Sequence, residues 1–412
     1  MEKTQSKYQR FLPIWIFVGM LVGIVGGIIF AAAGIADFAT NYIKPFGTIY
    51  INLLKFLVVP VVLFSIIDGI ISLNDLKRVG SVGVRTIVYY MVTTVLAIII
   101  GLIIANIFKP LFPVLDTAGL EYTPNSSKVM DVIVNIFPSN ILAPLVNADM
   151  LPLIVIAIFF GAGILMVGEK GEIVAKFVNS MNEIVMKIMG LVISISPIGV
   201  ACLMWDVVAV NGPKIIGALA IVIGVAYIGY IIHVLVVYGL SIKFLSKMNP
   251  FAFFKGLFSA MVTAFTTTSS AATIPVNMEC CNKMGAEPEI SSFCLPLGAT
   301  INMDGTAIYQ AVAAIFIATC YGVDLTLGQM ATIVLTATLA SIGTAGAPGS
   351  GMIMLSMVLV SVGLPVEGIA LIAGVDKLFD MGRTTLNITG DASCVMWISR
   401  QEKEKKAKLA AK

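Results

Sequence analysis

The sequence predicts an all-α polytopic membrane protein with eight transmembrane helices and two re-entrant helical hairpins. Three observations carry that prediction. The 412 residues are 58% hydrophobic and only 12% charged, with a mean hydropathy of +0.99, whereas soluble domains carry about 25% charge. Apolar runs recur at the length needed to span a bilayer. Two further apolar segments are each interrupted at mid-length by a cluster of small residues.

Taken in order, the apolar runs place spans at 11–34, 46–70, 83–108, a broken segment 130–167, then 174–200, 215–243, 290–320 and 366–398. The first apolar stretch runs to about 20 residues, longer than a signal-peptide core of about 7–15. Ala31-Ala32-Ala33 is therefore read as the end of a retained span. With the N-terminus in the cytoplasm, eighteen of the 26 Lys and Arg fall inside. They include Lys3, Lys7 and Arg10, then Lys77, Arg78 and Arg85, and the tail from Arg400. Only Lys44, Lys109, Lys128 and Lys214 fall outside, and both termini are placed in the cytoplasm. Lys55 and Lys187 lie within spans and are read as snorkelling. The six cysteines show no metal spacing and read as small apolar fillers. The sequon at Asn125 falls in an outer loop.

The interrupted segments are 250–280 and 327–360. The first contains Thr266-Thr267-Thr268-Ser269-Ser270-Ala271-Ala272-Thr273-Ile274-Pro275, the second Ser341-Ile342-Gly343-Thr344-Ala345-Gly346-Ala347-Pro348-Gly349-Ser350-Gly351. Gly and Pro release backbone groups that lipid cannot satisfy, so such clusters must line a cavity. Each reads as a hairpin with its tip near the midplane. Ser270 precedes Asp304 by 34 residues and Gly346 precedes Asp380 by 34. The first hairpin enters from inside and the second from outside, the pattern of an inverted repeat with its site where the halves meet.

Between Asp376 and Asp391 the last span carries a polar stripe. Asp376, Asp380, Arg383, Thr384, Asn387 and Asp391 share an arc of about 100° at about 100° per residue. A charge at bilayer depth costs roughly 2.5–3.5 kcal/mol on insertion scales, so the stripe reads as the centre of a solute or ion site. Asp376 and Lys377 are equally read as a local structural or gating pair. In the preceding span, Gly298, Thr300, Asn302, Asp304, Gly305 and Thr306 form a second polar group. A regular helix would point Asn302 and Asp304 about 200° apart, so local unwinding is expected there, letting both side chains and freed carbonyls converge on one centre. These all-oxygen donors suit a hard cation such as Na⁺. Thr300 and Ser341, taken singly, read equally well as helix–helix glue. His233, the only histidine, reads as packed rather than catalytic. No nucleophile–base set or nucleotide loop is present, which argues against an enzyme.

The motifs Thr268–Pro275, Asn302-Met303-Asp304-Gly305-Thr306, Ser341–Gly351 and Asp380-Met381-Gly382-Arg383-Thr384…Asn387…Gly390-Asp391 together resemble the dicarboxylate/amino acid:cation symporters, the glutamate transporter family. The resemblance covers the whole chain. It implies a glutamate-transporter-like fold with inverted repeats, assembled as a homotrimer. Residues 1–82 (helices 1 and 2) and 130–212 (helices 4 and 5) would form a static scaffold. A transport domain would comprise 83–129 (helix 3 and an outer loop) and 213–400. The latter holds helix 6, hairpin 1 at about 250–285, helix 7, hairpin 2 at about 327–361 and helix 8. Residues 401–412 would be a basic cytoplasmic tail.

The same resemblance implies residue roles. Arg383 would pair with the side-chain carboxylate of an acidic amino acid and Asp380 would take its ammonium. Asn387, Thr306, Ser270 and the tip around Gly346, Ala347 and Gly349 would hold the α-carboxylate, with Ser269 and Thr384 completing the substrate set. One Na⁺ would use Gly298, Asn302, Asn387 and Asp391. A second would use Thr300, Ser341, Ile342 and Thr344, and a third Tyr90, Thr93, Thr94, Asn302 and Asp304. The chain departs from the family at Thr268 and Met381, where archaeal and many animal members respectively carry a second arginine, and at Ala271-Ala272. The expected function is Na⁺-coupled import of L-glutamate or L-aspartate by an elevator movement in a bacterial-type inner membrane, with no nucleic-acid partner. The alternatives are a proton-coupled glutamate or C4-dicarboxylate symporter, or a neutral amino acid carrier of the same fold.

Overall fold

The computed structural model describes residues 7–72, 81–114, 134, 137–147, 150–212, 214–341 and 350–410. Among the described residues the chain is helical, with no strand. The principal helices are α1 (Lys7–Ala33), α2 (Lys44–Ser72), α3 (Ser81–Phe108), α4 (Met150–Val167), α5 (Glu172–Ser194), α6 (Ser196–Asn211) and α7 (Lys214–His233). After them come α8 (Pro250–Thr267), α9 (Ser270–Lys283), α10 (Pro288–Ile301), α11 (Asp304–Cys320), α12 (Leu327–Ser341), α13 (Ser350–Ser361) and α14 (Asp376–Ala410). Among the described residues, four stretches are long and apolar enough to cross a membrane: Ile14–Ala33, Val82–Leu111, Ile216–Leu245 and Pro288–Cys320. A fifth counts if the bent pair Val155–Val192 and Ser196–Val210 is one span. α14 falls outside that set because it carries the charged stripe.

Two expected boundaries move. The run read as one span over 174–200 divides at Ile195 into α5 and α6, and the chain turns by 52° there. Pro197, in the first turn of α6, has no N–H to continue the helix before it. Within the run read as the last span, 366–398, the long helix begins only at Asp376, after short helical turns over Val366–Ile369 and Ala370–Ala373, and it runs on to Ala410. The tail is thus not only a solvated basic segment. Glu402 and Gln401 accept from Arg85, Lys403 donates to the Gly285 carbonyl at 2.5 Å, and Lys406 pairs with Glu287 at 3.0 Å.

The helices pack in two groups that share one hydrophobic core and meet where α13 touches α2 and α4. α1 lies along α6, and α2 lies against α4, α5 and α6. The second group has α11 at its centre, packed by α3, α7, α13 and α14, while α8, α9 and α10 pack on α14. Every residue from Asp304 to Cys320 is buried. A helix apolar all round and enclosed by protein can hold polar groups that a lipid-facing helix could not. Two hydrophobic cores meet along α14, with Phe379 and Leu386 in one and Ile388 and Ala392 in the other. The polar stripe crosses their junction.

Small residues set the α1–α6 approach. Gly19, Gly23 and Gly27 repeat every four residues on one face of α1, and a Cβ on any of them would come within 3.0 Å of α6, at Pro197, Ala201, Trp205 or Val208. Close packing of this kind stands in for the hydrophobic effect, which lipid does not supply between helices. Gly23→Leu is expected to lower stability by about 1–3 kcal/mol through overpacking. Gly163→Ala, where a Cβ meets nothing within 4 Å, should leave it unchanged. Thermal unfolding of the purified proteins checks the contrast.

Candidate functional site

The first hairpin reverses between α8 and α9. Thr268 closes α8 in the left-handed conformation, with φ 52° and ψ 34°, and Ser269 is extended. The Ser269 hydroxyl accepts from the Ala272 N–H at 3.2 Å, capping α9. Ser270 is buried beside it. In the second hairpin, α12 ends at Ser341 and α13 starts at Ser350. The tip, with Ile342, Thr344, Gly346, Ala347 and Gly349, lies outside the described residues.

The expected unwinding is present. α10 ends at Ile301 and α11 begins at Asp304, with Asn302 extended at φ −89° and ψ 93° and Met303 at φ −117° and ψ 42°. This two-residue break does not bring Asn302 and Asp304 to the single centre expected of them but turns them toward separate polar groups, Asp391 and Asn387 for one and Thr94, Tyr238 and His233 for the other. Asn302 Nδ2 donates to Asp391 Oδ1 at 2.9 Å and to the Asn387 carbonyl at 3.0 Å. Its Oδ1 is buried and accepts no hydrogen bond among the described residues. A Cβ on Gly298 would strike the Asp391 carboxylate and the Tyr90 hydroxyl, so those groups converge on the Gly298 backbone. Gly298, Asn302, Asn387 and Asp391 are therefore together.

Asp304 is fully buried and held by three donors. Thr94 donates to Oδ1 at 2.6 Å and Tyr238 to Oδ2 at 2.7 Å, while His233 Nε2 lies 3.2 Å from Oδ2. Thr93 bonds the Tyr90 carbonyl at 3.1 Å, and Tyr90 the Cys294 carbonyl at 3.0 Å. Sequence reasoning missed His233 and Tyr238 as members of this group. Residues five apart diverge by about 140° on a regular helix. Here Val234–Tyr238 forms a widened π-helical turn, which brings both side chains to one carboxylate. The second set is different. Thr300 donates to the Leu297 carbonyl at 2.9 Å and Ser341 to the Thr338 carbonyl at 2.7 Å. No hydrogen bond joins them among the described residues.

On α14, Arg383 is 2% exposed, lower than either acidic partner. Its Nε donates to Asp380 Oδ1 at 2.9 Å, and its terminal nitrogens reach Asp376 at 3.1 and 3.4 Å. The guanidinium lies over the Tyr309 ring, 4.9 Å from its centroid. Thr384 donates to the same Asp380 oxygen at 3.2 Å. Asn387 Oδ1 accepts from the Gly305 N–H at 2.7 Å, and Thr306 is buried one residue further on, its hydroxyl 3.8 Å from the Met303 sulfur. A Cβ on Gly351 would overlap the guanidinium, and one on Gly305 the Arg383 backbone. Asp376 and Lys377 do not pair with each other. Asp376 faces Arg383 along the helix, and Lys377 donates to the Thr268 hydroxyl.

Chemically, the planar guanidinium offers fork geometry matched to a carboxylate. The Asn302 and Asp391 oxygens offer hard donors. Tyr238→Phe removes one of the three donors to Asp304 and should lower stability by about 1–3 kcal/mol. Tyr42→Phe, at a side chain 65% exposed, should not, and thermal unfolding separates the two.

The chain is similar to known transport proteins over most of its length. The model of the sodium:dicarboxylate symporter family matches residues 12–401. The chain is 36% identical to a proton/sodium-glutamate symport protein of Geobacillus stearothermophilus, over 94% of this chain and 93% of that one. It is 35% identical to a proton/glutamate-aspartate symporter of Escherichia coli, over 88% and 86%. It is also 35% identical to excitatory amino acid transporter 2 of Rattus norvegicus, over 95% and 79%.

Proposed function

The chain belongs to the sodium:dicarboxylate symporter family, a family of membrane transporters and not of enzymes, and from that premise we propose that it imports L-glutamate or L-aspartate together with Na⁺. The observation that carries the proposal is the buried Arg383, set beside Asp380 on one face of α14. Arg383 receives the substrate's side-chain carboxylate by exchanging it for Asp376, and Asp380 receives the ammonium. Ser269, Ser270, Thr306, Thr384 and Asn387, with Ala347 and Gly349 of the second tip, complete the substrate set.

More than one Na⁺ accompanies the substrate. Gly298, Asn302, Asn387 and Asp391 hold one, and the buried, unpartnered Asn302 Oδ1 supports it. Tyr90, Thr93, Thr94, Asn302 and Asp304 hold another, and Thr300, Ser341, Ile342 and Thr344 a third. An acidic amino acid carries one net negative charge inward. Each positive charge entering gains about 2.3 kcal/mol per 100 mV, so two or more cations make entry favourable.

The two packing groups suit an elevator movement in a homotrimer. Scaffold segments 1–82 and 130–212 stay fixed, the transport segments 83–129 and 213–400 move, and 401–412 remains on the cytoplasmic side of a bacterial inner membrane. A proton-coupled reading stays in play because relatives carry names with proton as the coupling ion.

Uptake of labelled L-aspartate and L-glutamate into proteoliposomes, with and without an inward Na⁺ gradient, tests the whole proposal. Uptake only with Na⁺ is expected; uptake driven by a pH gradient alone would move the coupling to protons. Arg383→Thr should lose acidic substrates selectively, by about 2–5 kcal/mol of affinity. Equal loss for neutral substrates in a folded protein would refute the contact. Asp391→Asn should raise the Na⁺ concentration needed for half-maximal uptake, and an unchanged requirement would remove Asp391 from the cation set.

A further inference from the structure

We propose that Lys377 is a second cationic determinant for the acidic substrate, acting alongside Arg383 from the tip of the first hairpin. This inference rests on the acidic-substrate reading above. Lys377 lies about 60° around α14 from Asp380, next to Thr384 at about 40°. The side chain is half-buried, and its ammonium donates to the Thr268 hydroxyl. Thr268 is buried, closes α8 and immediately precedes Ser269 and Ser270. The ammonium thus links α14, at a position next to Thr384 on the helix, to the residue that immediately precedes the hairpin-tip serines.

Charge balance assigns the role. Asp376 and Asp380 supply two formal negative charges to this face, and Arg383 and Lys377 two positive ones. Without Lys377 the face would be net negative toward a net-negative solute, and like charges at short range disfavour binding. Arg383 is already engaged by both carboxylates. Lys377 differs: its hydrogen-bond acceptor among the described residues is a neutral hydroxyl. Exchanging that hydroxyl for a substrate carboxylate gives a stronger, charge-assisted bond. The long, flexible lysine stem allows the move without displacing the helix.

The competing role is a latch that merely ties the hairpin to α14. Four variants separate the two: Lys377→Met, Lys377→Gln, Lys377→Arg and Thr268→Val. The last removes the hydroxyl partner while keeping the charge. Each is purified, checked by thermal unfolding and gel filtration, and assayed for L-aspartate and L-glutamate uptake in proteoliposomes with KM and kcat resolved. Lys377→Met should raise KM tenfold or more, and Lys377→Gln is read in its place if the methionine variant does not fold. Lys377→Arg and Thr268→Val should stay within about threefold of the unmodified protein, a difference below 1 kcal/mol. An unchanged KM in the neutral variants would overturn the proposal, as would equal losses in Lys377→Met and Thr268→Val. Absence of acidic substrate uptake by the unmodified protein would overturn the acidic-substrate reading as well, so the two failures are distinguishable.

Discussion

A guanidinium buried inside a helix bundle needs anions and dipoles around it, because taking an ion out of water costs several kcal/mol even after relaxation. Much of the second helix group can be read from that constraint at Arg383. Its two carboxylate partners come from its own helix, at positions three and seven residues earlier. The Tyr309 ring from α11 covers its face. Gly351 and Gly305 leave room for the guanidinium and for its backbone respectively. Well-packed hydrophobic residues would often stabilise such a position equally well or better. The solute-recognising role proposed for Arg383 would give the ion pair a function that stability alone does not require.

The break at Asn302-Met303 follows from a similar need. An unbroken helix would place Asn302 and Asp304 on nearly opposite faces. Interrupting it lets Asn302 reach Asp391 while Asp304 turns to Thr94, Tyr238 and His233. Broken helices are tolerated at membrane depth only inside protein or beside a cavity, and every residue from Ile301 to Cys320 is buried. Enclosure and unwinding therefore depend on each other.

The stripe on α14 was legible because six polar residues in one apolar segment need only helical periodicity to be placed on a common face. The break after Ile301 was legible too, since Gly298 and Gly305 flank two polar residues that a regular helix would point apart, but their separate partners were not, because those lie on other helices. His233 and Tyr238 were not legible. Their meeting depends on a π-helical turn over Val234–Tyr238, and an apolar run gives no sign of a widened turn. The division at Ile195 had a local signal in Pro197, but the hydropathy of 174–200 is continuous across it. Lys377 and Asp376 are adjacent and of opposite sign, which suggested a pair. Helix geometry sends neighbours about 100° apart, so Asp376 pairs with Arg383 along α14 while Lys377 reaches Thr268 at the end of α8.

Asn387 joins the two polar centres. It lies one helical turn beyond Arg383, its side chain accepts from the Gly305 N–H, and its carbonyl accepts from Asn302 Nδ2. Asn302 in turn holds Asp391, and the Gly305 backbone lies against that of Arg383. A cation drawn to Asn302 and Asp391 would thus settle the same short stretch of backbone that positions the guanidinium. In the proposed mechanism, a solute ordered by Arg383 would likewise find the cation donors already set. Such coupling must be reciprocal in free energy, so ion and solute would each strengthen the binding of the other. Three hydrogen bonds and one glycine contact supply a physical route for symport without requiring a direct contact between the two cargoes.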